Sequence, residues 1–305
     1  MPRYLLKRLG LALAVAVAVS IIAFLLLRLA GDVATAIAGD GASQADIEAV
    51  RDRYGLDRPL AVQYAEWALL ALRGDLGVSL YFNEPVVQVI GERLGVTLQL
   101  GFLALTFAIL LAVPLGVLAG MRPNSWLDRL ALGIAVLGQA MPSFWFALLL
   151  MLLLGVYWQL LPISGSDTIW HFVLPAVALG YYATPAIMRL TRAGMIEVLG
   201  SDYIRTAYAK GLLPGKVLFK HALRNAIIPV VALAAVQFGF MLGGSIVIET
   251  IFSLQGVGHL AWVSISRSDV PVVQGIVLIL SLIYILLVLL ADLLNAWLDP
   301  RIRVT

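Results

Sequence analysis

The 305-residue chain is 61% hydrophobic and only 13% charged, with a mean hydropathy of +0.96. A soluble domain carries about 25% charged residues, so these values exclude one and place the chain in a membrane. The net charge of +3 is small, and the chain has no cysteine, which removes disulfides, thiolate metal sites and cysteine nucleophiles.

Arg3, Lys7 and Arg8 precede an apolar run from Leu9 to Leu27. At helical rise this run crosses the hydrocarbon core of about 30 Å. Ala36-Ile37-Ala38 looks like a processing site, but the core of a signal peptide is about 7–15 residues. This run is longer and ends in Arg28, so residues 1–30 are expected to form an uncleaved first span.

Residues 31–94 change character, with ten acids against five bases. Ser43 is placed to cap a helix through Ile47, Val50 and Tyr54 that stops at Gly55. A second helix is expected from Pro59 to Leu72, before Gly74. Asn83-Glu84-Pro85 then opens a third, with Pro in its first turn. The segment reads as a small extracytoplasmic helical subdomain.

Five more apolar spans follow at residues 95–120, 130–157, 172–188, 227–248 and 272–298, which makes six with the first. Pro114, Pro142, Pro175, Pro185 and Pro229 interrupt them, as membrane helices tolerate when neighbours satisfy the freed backbone groups. Gln139, Ser143 and Trp145 gather around Met141-Pro142. Gln237, Met241 and Ser245 share one helical face beside Gly239-x-x-x-Gly243 and Gly244, a small-residue pattern that lets helices approach closely. Glu249 and Asp292 are the acids nearest lipid depth, and both lie near span ends. Their readings stay open between a structural contact and a gate. Asp292 continues a stripe through Ser281, Tyr284, Asn295 and Asp299, a face expected to meet protein.

Between the fourth and fifth spans, residues 189–226 carry seven of the 21 basic residues. Ile196, Leu199, Tyr203 and Ala207 mark an apolar face before a central break, and Leu218, Ala222 and Leu223 another after it. Ser201-Asp202 is placed to cap the first short helix. The break, Gly211-Leu212-Leu213-Pro214-Gly215, prevents one helix from passing through. The result is an elbow with shape and charge but no nucleophile–base pair, which suits docking better than chemistry.

With the N-terminus cytoplasmic, 14 of the 21 basic residues lie inside and the short outer loops contribute only Arg267. The remainder sit in or beside the long first loop, where the positive-inside rule has little force. Both termini and the elbow therefore read as cytoplasmic. The basic residues flank the membrane, so nucleic acid is not expected as a partner. Ser166, Asp167 and His171 are too close in sequence to order a hydrolytic triad. His171, His221 and His259 are scattered over different loops. Gly211 to Lys216 lacks the spacing of a phosphate loop and has Val217 where Ser or Thr must bind magnesium, so this chain is not expected to hydrolyse ATP.

The elbow resembles the cytoplasmic loop of ABC importer permeases of the peptide/nickel branch, which serves dipeptides, oligopeptides and glutathione. Arg205-Thr206-Ala207 stands where Glu-Ala-Ala is common, Gly211 is the loop glycine, and His221-Ala222-Leu223-Arg224 replaces Ile-x-Leu-Pro. The resemblance extends to GLDRPLAVQY, RGDLGVSL, MPSFWFALLL, GGSIVIETIF, DVPVVQG and LLNAWLDPRIR, covering nearly the whole chain. It departs at Ala30-Gly31-Asp32-Val33, where Pro-Gly-Asp-Pro is common, and at Gln255-Gly256-Val257-Gly258-His259.

The resemblance implies an all-α integral inner-membrane protein. It has six transmembrane helices, a helical extracytoplasmic segment after the first, a cytoplasmic coupling helix between the fourth and fifth, and a cytoplasmic tail at 299–305. It implies a second homologous permease (a heterodimer), two ABC ATPase subunits that bind ATP and magnesium, and a solute-binding protein, with no cofactor or metal in this chain. Arg205, Thr206, Ala207, Lys210, Gly211, Leu212, Leu213, Pro214, Gly215 and Lys216 would meet the ATPases. Gln139, Ser143, Gln237, Met241 and Ser245 would line the path of peptides, with nickel chelates a further substrate class. The alternative is a stand-alone secondary transporter driven by an ion gradient; its expected inverted repeats are not found.

Overall fold

The computed structural model describes residues 2–29, 32–39 and 41–298. Asp40, Ala30-Gly31, Asp299 and the tail 299–305 with Arg301 and Arg303 lie outside the described residues. Among the described residues all regular elements are helical, apart from one isolated bridge between Val78 and Pro85. Helix α1 (Pro2–Leu29) is followed by three shorter helices, α2 (Val33–Ala38), α3 (Gln44–Arg53) and α4 (Leu60–Leu72). Next come α5 (Val86–Met121), α6 (Trp126–Ala140), α7 (Ser143–Leu150) and α8 (Val173–Leu199). The elbow holds α9 (Asp202–Ala209), α10 (Pro214–Lys216) and α11 (Arg224–Ala226). The chain then runs through α12 (Ile228–Ile251), α13 (Val257–Ser266) and α14 (Val270–Leu298). Five helices, α1, α5, α8, α12 and α14, are long and apolar enough to cross a membrane.

The third expected span is not one helix. Helix α6 ends at Ala140, Met141 is extended at φ −92° and ψ 131°, and α7 restarts after Pro142. Pro142 supplies no N–H and pushes the residue before it out of helical geometry. After α7 the chain winds through wider π-type turns at Met151–Tyr157. By contrast Pro114 and Pro185 sit inside unbroken helices, and Pro229 lies in the first turn of α12.

The core is built on the α5–α8 seam, the largest helix–helix contact in the fold. Ala104, Ala108, Ala112, Gly116 and Gly120 repeat every fourth residue along α5 and are all buried. They face Gly180, Ala183, Ile187, Met188, Thr191 and Met195 of α8. Small residues at this spacing bring two backbones together, so that packing rather than side-chain bulk holds the pair. At 36 residues α5 is about 54 Å long, so it extends well beyond the hydrocarbon.

Helix α12 packs on α5, α8 and α14, while α1 lies at the edge against α14 and α4. The Arg8 guanidinium meets Asp292 of α14 at 2.7 Å, and Tyr284 of α14 lies over Gly239 and beside the Phe240 ring. The face through Tyr284 and Asp292 thus meets protein. In the segment after α1, Ser43 caps α3: its Oγ accepts from the Asp46 amide at 3.3 Å, and Asp46 Oδ2 accepts the Ser43 amide at 3.0 Å. Pro85 stands at the N-cap of α5, one place before the expected first turn.

Two buried carboxylates pin the loops. Asp269 is fully buried and accepts from Ser79 Oγ at 2.5 Å and from the Leu80 and Tyr81 amides at 3.1 and 3.3 Å. Glu249, also fully buried, accepts from Thr97 Oγ1 at 2.8 Å and from the His259 amide at 2.9 Å. It thereby caps α13, an element the sequence reading did not anticipate.

A cavity at a broken helix and an exposed elbow

A cavity of about 440 Å³ opens between α6, α7, α8 and α12. Gln139 and Ser143 border it from either side of the Met141-Pro142 break, and Gln237 and Met241 from α12, with Tyr182 and Phe240 on its walls. Four residues from two distant stretches are thus brought to one place. Gln139 Oε1 accepts from Arg189 at 3.0 Å. Ser245 does not border this cavity: it is 1% exposed, and its hydroxyl donates to the Leu242 carbonyl at 3.0 Å. Glu249 does not border it either, because its carboxylate is spent on Thr97 and α13. The break borders this cavity, the setting in which even a membrane protein tolerates irregular backbone. The small-residue pattern of α12 divides: Gly239 packs on Tyr284, whereas Gly243 meets nothing within 4 Å.

The elbow has its own small core. Ile204 and Ala207 of α9 are buried with Val217, Ala222, Ala226, Met195 and Val117. Ala207 is therefore a packing residue of the elbow, not part of its outer surface. Leu212 packs against the same cluster, while Leu213 is 75% exposed. Tyr203, expected on the buried face, is 45% exposed and its hydroxyl accepts from Asn225 Nδ2 at 3.0 Å. Ser201 stands at the N-cap of α9 with extended backbone, but its hydroxyl donates to the Val198 carbonyl at 2.6 Å. Gly211, at φ +74°, makes the turn that a side chain would strain. Arg205, Thr206, Lys210, Pro214, Gly215 and Lys216 are exposed around it.

Behind the elbow, Asp128 and Arg192 form a bidentate pair at 2.6 and 2.7 Å that ties α6 to α8. Asp128 is 2% exposed and also accepts the Asn124 amide at 2.8 Å. The sequence signal was present as Ser125-x-x-Asp128, a capping pattern, but nothing in it pointed to Arg192. The Arg192 guanidinium, helped by the Asn124 amide, holds the Asp128 carboxyl below the ordinary carboxylate range, against the opposing pull of burial. The pair's contribution is thus complete above the unfolded value of about 3.9 and is lost as pH falls through the lower folded value. In detergent melts, the wild type should exceed Asp128→Asn by a constant margin above about pH 5, and the margin should close in stronger acid. A margin independent of pH would refute this assignment.

Elsewhere the chemistry is bland. His171 Nδ1 is held by Thr168, 2.9 Å from its Oγ1 and 3.2 Å from its amide, and not by Ser166 or Asp167. Among the described residues no cluster of His, Asp and Glu could hold a metal ion.

Residues 112–304 match the family described as binding-protein-dependent transport system inner membrane component, and residues 1–101 match the N-terminal part of such membrane components. The chain belongs to this family. It is a multi-pass inner-membrane permease subunit of an ABC transporter, not itself catalytic, and membership implies ATPase and solute-binding partners. Membership disposes of the stand-alone secondary transporter. The permease is 40% identical over 304 residues to the glutathione transport system permease protein GsiC of Escherichia coli strain K12, covering 99% of each chain. GsiC of Pectobacterium atrosepticum is equally similar, at 40% over 304 residues. The dipeptide transport system permease protein DppB of Escherichia coli strain K12 is 37% identical over 336 residues, again covering 99% of each chain. Among solved structures, a chain of the MetNI methionine ABC transporter in inward-facing conformations superposes with a TM-score of 0.53 at 20% identity, covering 71% of this permease and 95% of that chain. That likeness supports the fold alone.

Proposed function

We propose that the permease carries small peptides, dipeptides or glutathione, into the cytoplasm. The observation that carries this reading is its end-to-end similarity to permeases named for both substrates. In this reading the chain crosses the membrane six times, with α6 and α7 together making the broken third crossing. Both termini and the elbow are cytoplasmic, and the segment 31–94 faces the solute-binding protein.

The cavity at the break is one wall of the substrate path. The Gln139 and Gln237 amides and the Ser143 hydroxyl offer donors and acceptors of the kind a peptide backbone requires. Phe240 is 64% exposed and Tyr182 59% exposed at its rim, which leaves an apolar edge for a second, homologous permease to complete.

The elbow couples this path to ATP hydrolysis. Leu213 projects beside the cations Arg205, Lys210 and Lys216, a shape suited to a groove in the ATPase. Displacement of the elbow passes through Ile204 and Ala207 to Met195 of α8 and so to the α5–α8 seam, shifting the bundle between two packings. With one elbow on this chain and another on the second permease, the assembly takes two partner ATPases.

The test is uptake of labelled dipeptide and glutathione by cells whose only importer contains this chain. Leu213→Glu should lower uptake about tenfold or more, as loss of a contact hot spot does, with assembly of the permease itself unchanged. Gly211→Val, strained by about 1–2 kcal/mol in the left-handed region, should act in the same direction. Uptake by an assembled Leu213→Glu transporter at the wild-type rate would remove the elbow's role. Transport of a nickel chelate and of neither peptide would remove the substrate class.

A further inference from the structure

A second cavity, of about 550 Å³, lies on the outer side between the end of α1, α4, the loop at 75–83 and the start of α14. It shares no lining residue with the cavity at the broken helix. Its size falls in the range of about 300–1,000 Å³ typical of small-ligand sites.

Two donors border it with no acceptor among the described residues. Gln274 is 7% exposed, and its Nε2 is buried with no hydrogen-bond partner. Buried donors are almost always paired, so this one points to a missing acceptor. Arg28 makes no ion pair among the described residues; its guanidinium lies 5.0 Å from the centre of the Phe24 ring. The nearby carboxylates are occupied elsewhere: Asp32 pairs with Arg51 at 2.7 Å, and Asp269 is filled by the loop at 79–81. One carboxylate of the lining, Asp75, uses Oδ1 to accept the Gly77 amide at 2.9 Å and is otherwise exposed to the cavity. The site therefore offers a cation and a neutral donor for an anion, with an acid for a cation: it is matched to a zwitterion.

Its position identifies the source. Arg28 closes the apolar run of α1, so it sits where that helix leaves the hydrocarbon. Helix α1 is the edge of the bundle, with only 11% of its membrane window buried. Ile21, two turns below Arg28 on the same helical face, is 37% exposed. Tyr54 and Trp67 line the cavity, the residue types that settle at headgroup level. We propose that this cavity holds the headgroup of an aminophospholipid from the outer leaflet. The phosphate meets Arg28 and Gln274 Nε2, the ammonium meets Asp75, and the acyl chains run down α1.

The test uses the assembled transporter, purified from its own membranes and examined by native mass spectrometry after mild delipidation, then reloaded from vesicles of phosphatidylethanolamine or phosphatidylglycerol. Wild type should retain an ethanolamine lipid. Gln274→Leu fills the same space without the donor and should lower retention about tenfold. Asp75→Asn keeps the acceptor for Gly77 and should shift preference from ethanolamine towards glycerol headgroups by about tenfold. Equal retention by wild type and Gln274→Leu overturns the proposal, as does displacement of the lipid by inorganic phosphate or by a dipeptide. Should Gln274→Leu fail to assemble, an unchanged headgroup preference in Asp75→Asn overturns it alone.

Discussion

Gly180→Val should destabilise the permease by about 3 kcal/mol or more, enough to remove most folded protein from the membrane. A Cβ at this position would collide with the Ala104 carbonyl oxygen and stand 3.0 Å from Phe107 Cδ1. Flexible side chains can turn aside from an added methyl group, but a backbone carbonyl inside a helix cannot. Relief therefore requires α8 to move away from α5, opening the seam on which the core is built. Gly133→Val is the control, because a Cβ there meets nothing within 4 Å. The measurement is the detergent melting temperature and the yield of both variants. A Gly180→Val protein that melts with the Gly133→Val control would show that the two helices are not held in this close approach.

Glu249→Ala should cost about 4 kcal/mol, through two buried donors left without an acceptor and the space left by the side chain. The Thr97 hydroxyl also accepts the Val257 amide at 2.8 Å, so the loss spreads from α5 through the start of α13. The site is closed tightly: a Cβ at Gly256 would strike the Glu249 carboxylate, and one at Gly258 would lie 2.8 Å from the Ile246 backbone. Glu249→Gln keeps the volume and one acceptor and should lose less. If Glu249 were a gate for the substrate, the glutamine variant would keep its melting temperature and lose uptake. Capping predicts the reverse: stability falls, while uptake per assembled transporter holds.

Hydropathy located the five long helices because apolar length is written directly in composition. Helix α5 begins at Val86, beside the expected start at Pro85 and ahead of the apolar span from residue 95, and α8 runs on to Leu199 past the apolar span that ends at residue 188. A helix does not stop where lipid does; Thr191 and Arg192 continue it by packing on α5 and α6. The ten residues of α13 were read as loop, since a short apolar run carries no distinguishing period. The elbow's break was legible from Gly211 and Pro214. Which of two adjacent leucines turned outward was not, because that depends on the cluster around Ile204. Gln139, Ser143, Gln237 and Met241 were legible as polar or soft residues beside a proline and on one helical face. The inward turn of Ser245, on the same face, was not legible, because a serine can satisfy its own hydroxyl on the preceding turn.

The bond between Ser79 and Asp269 joins residues 190 positions apart. At ribosomal speeds of about 5–20 residues per second, roughly 10–40 s separate the synthesis of these partners. Until Asp269 is made, the Ser79 hydroxyl and the Leu80 and Tyr81 amides lack the acceptor that the finished fold gives them. The turn at 79–81 can therefore close only after the chain has been made as far as the start of α14.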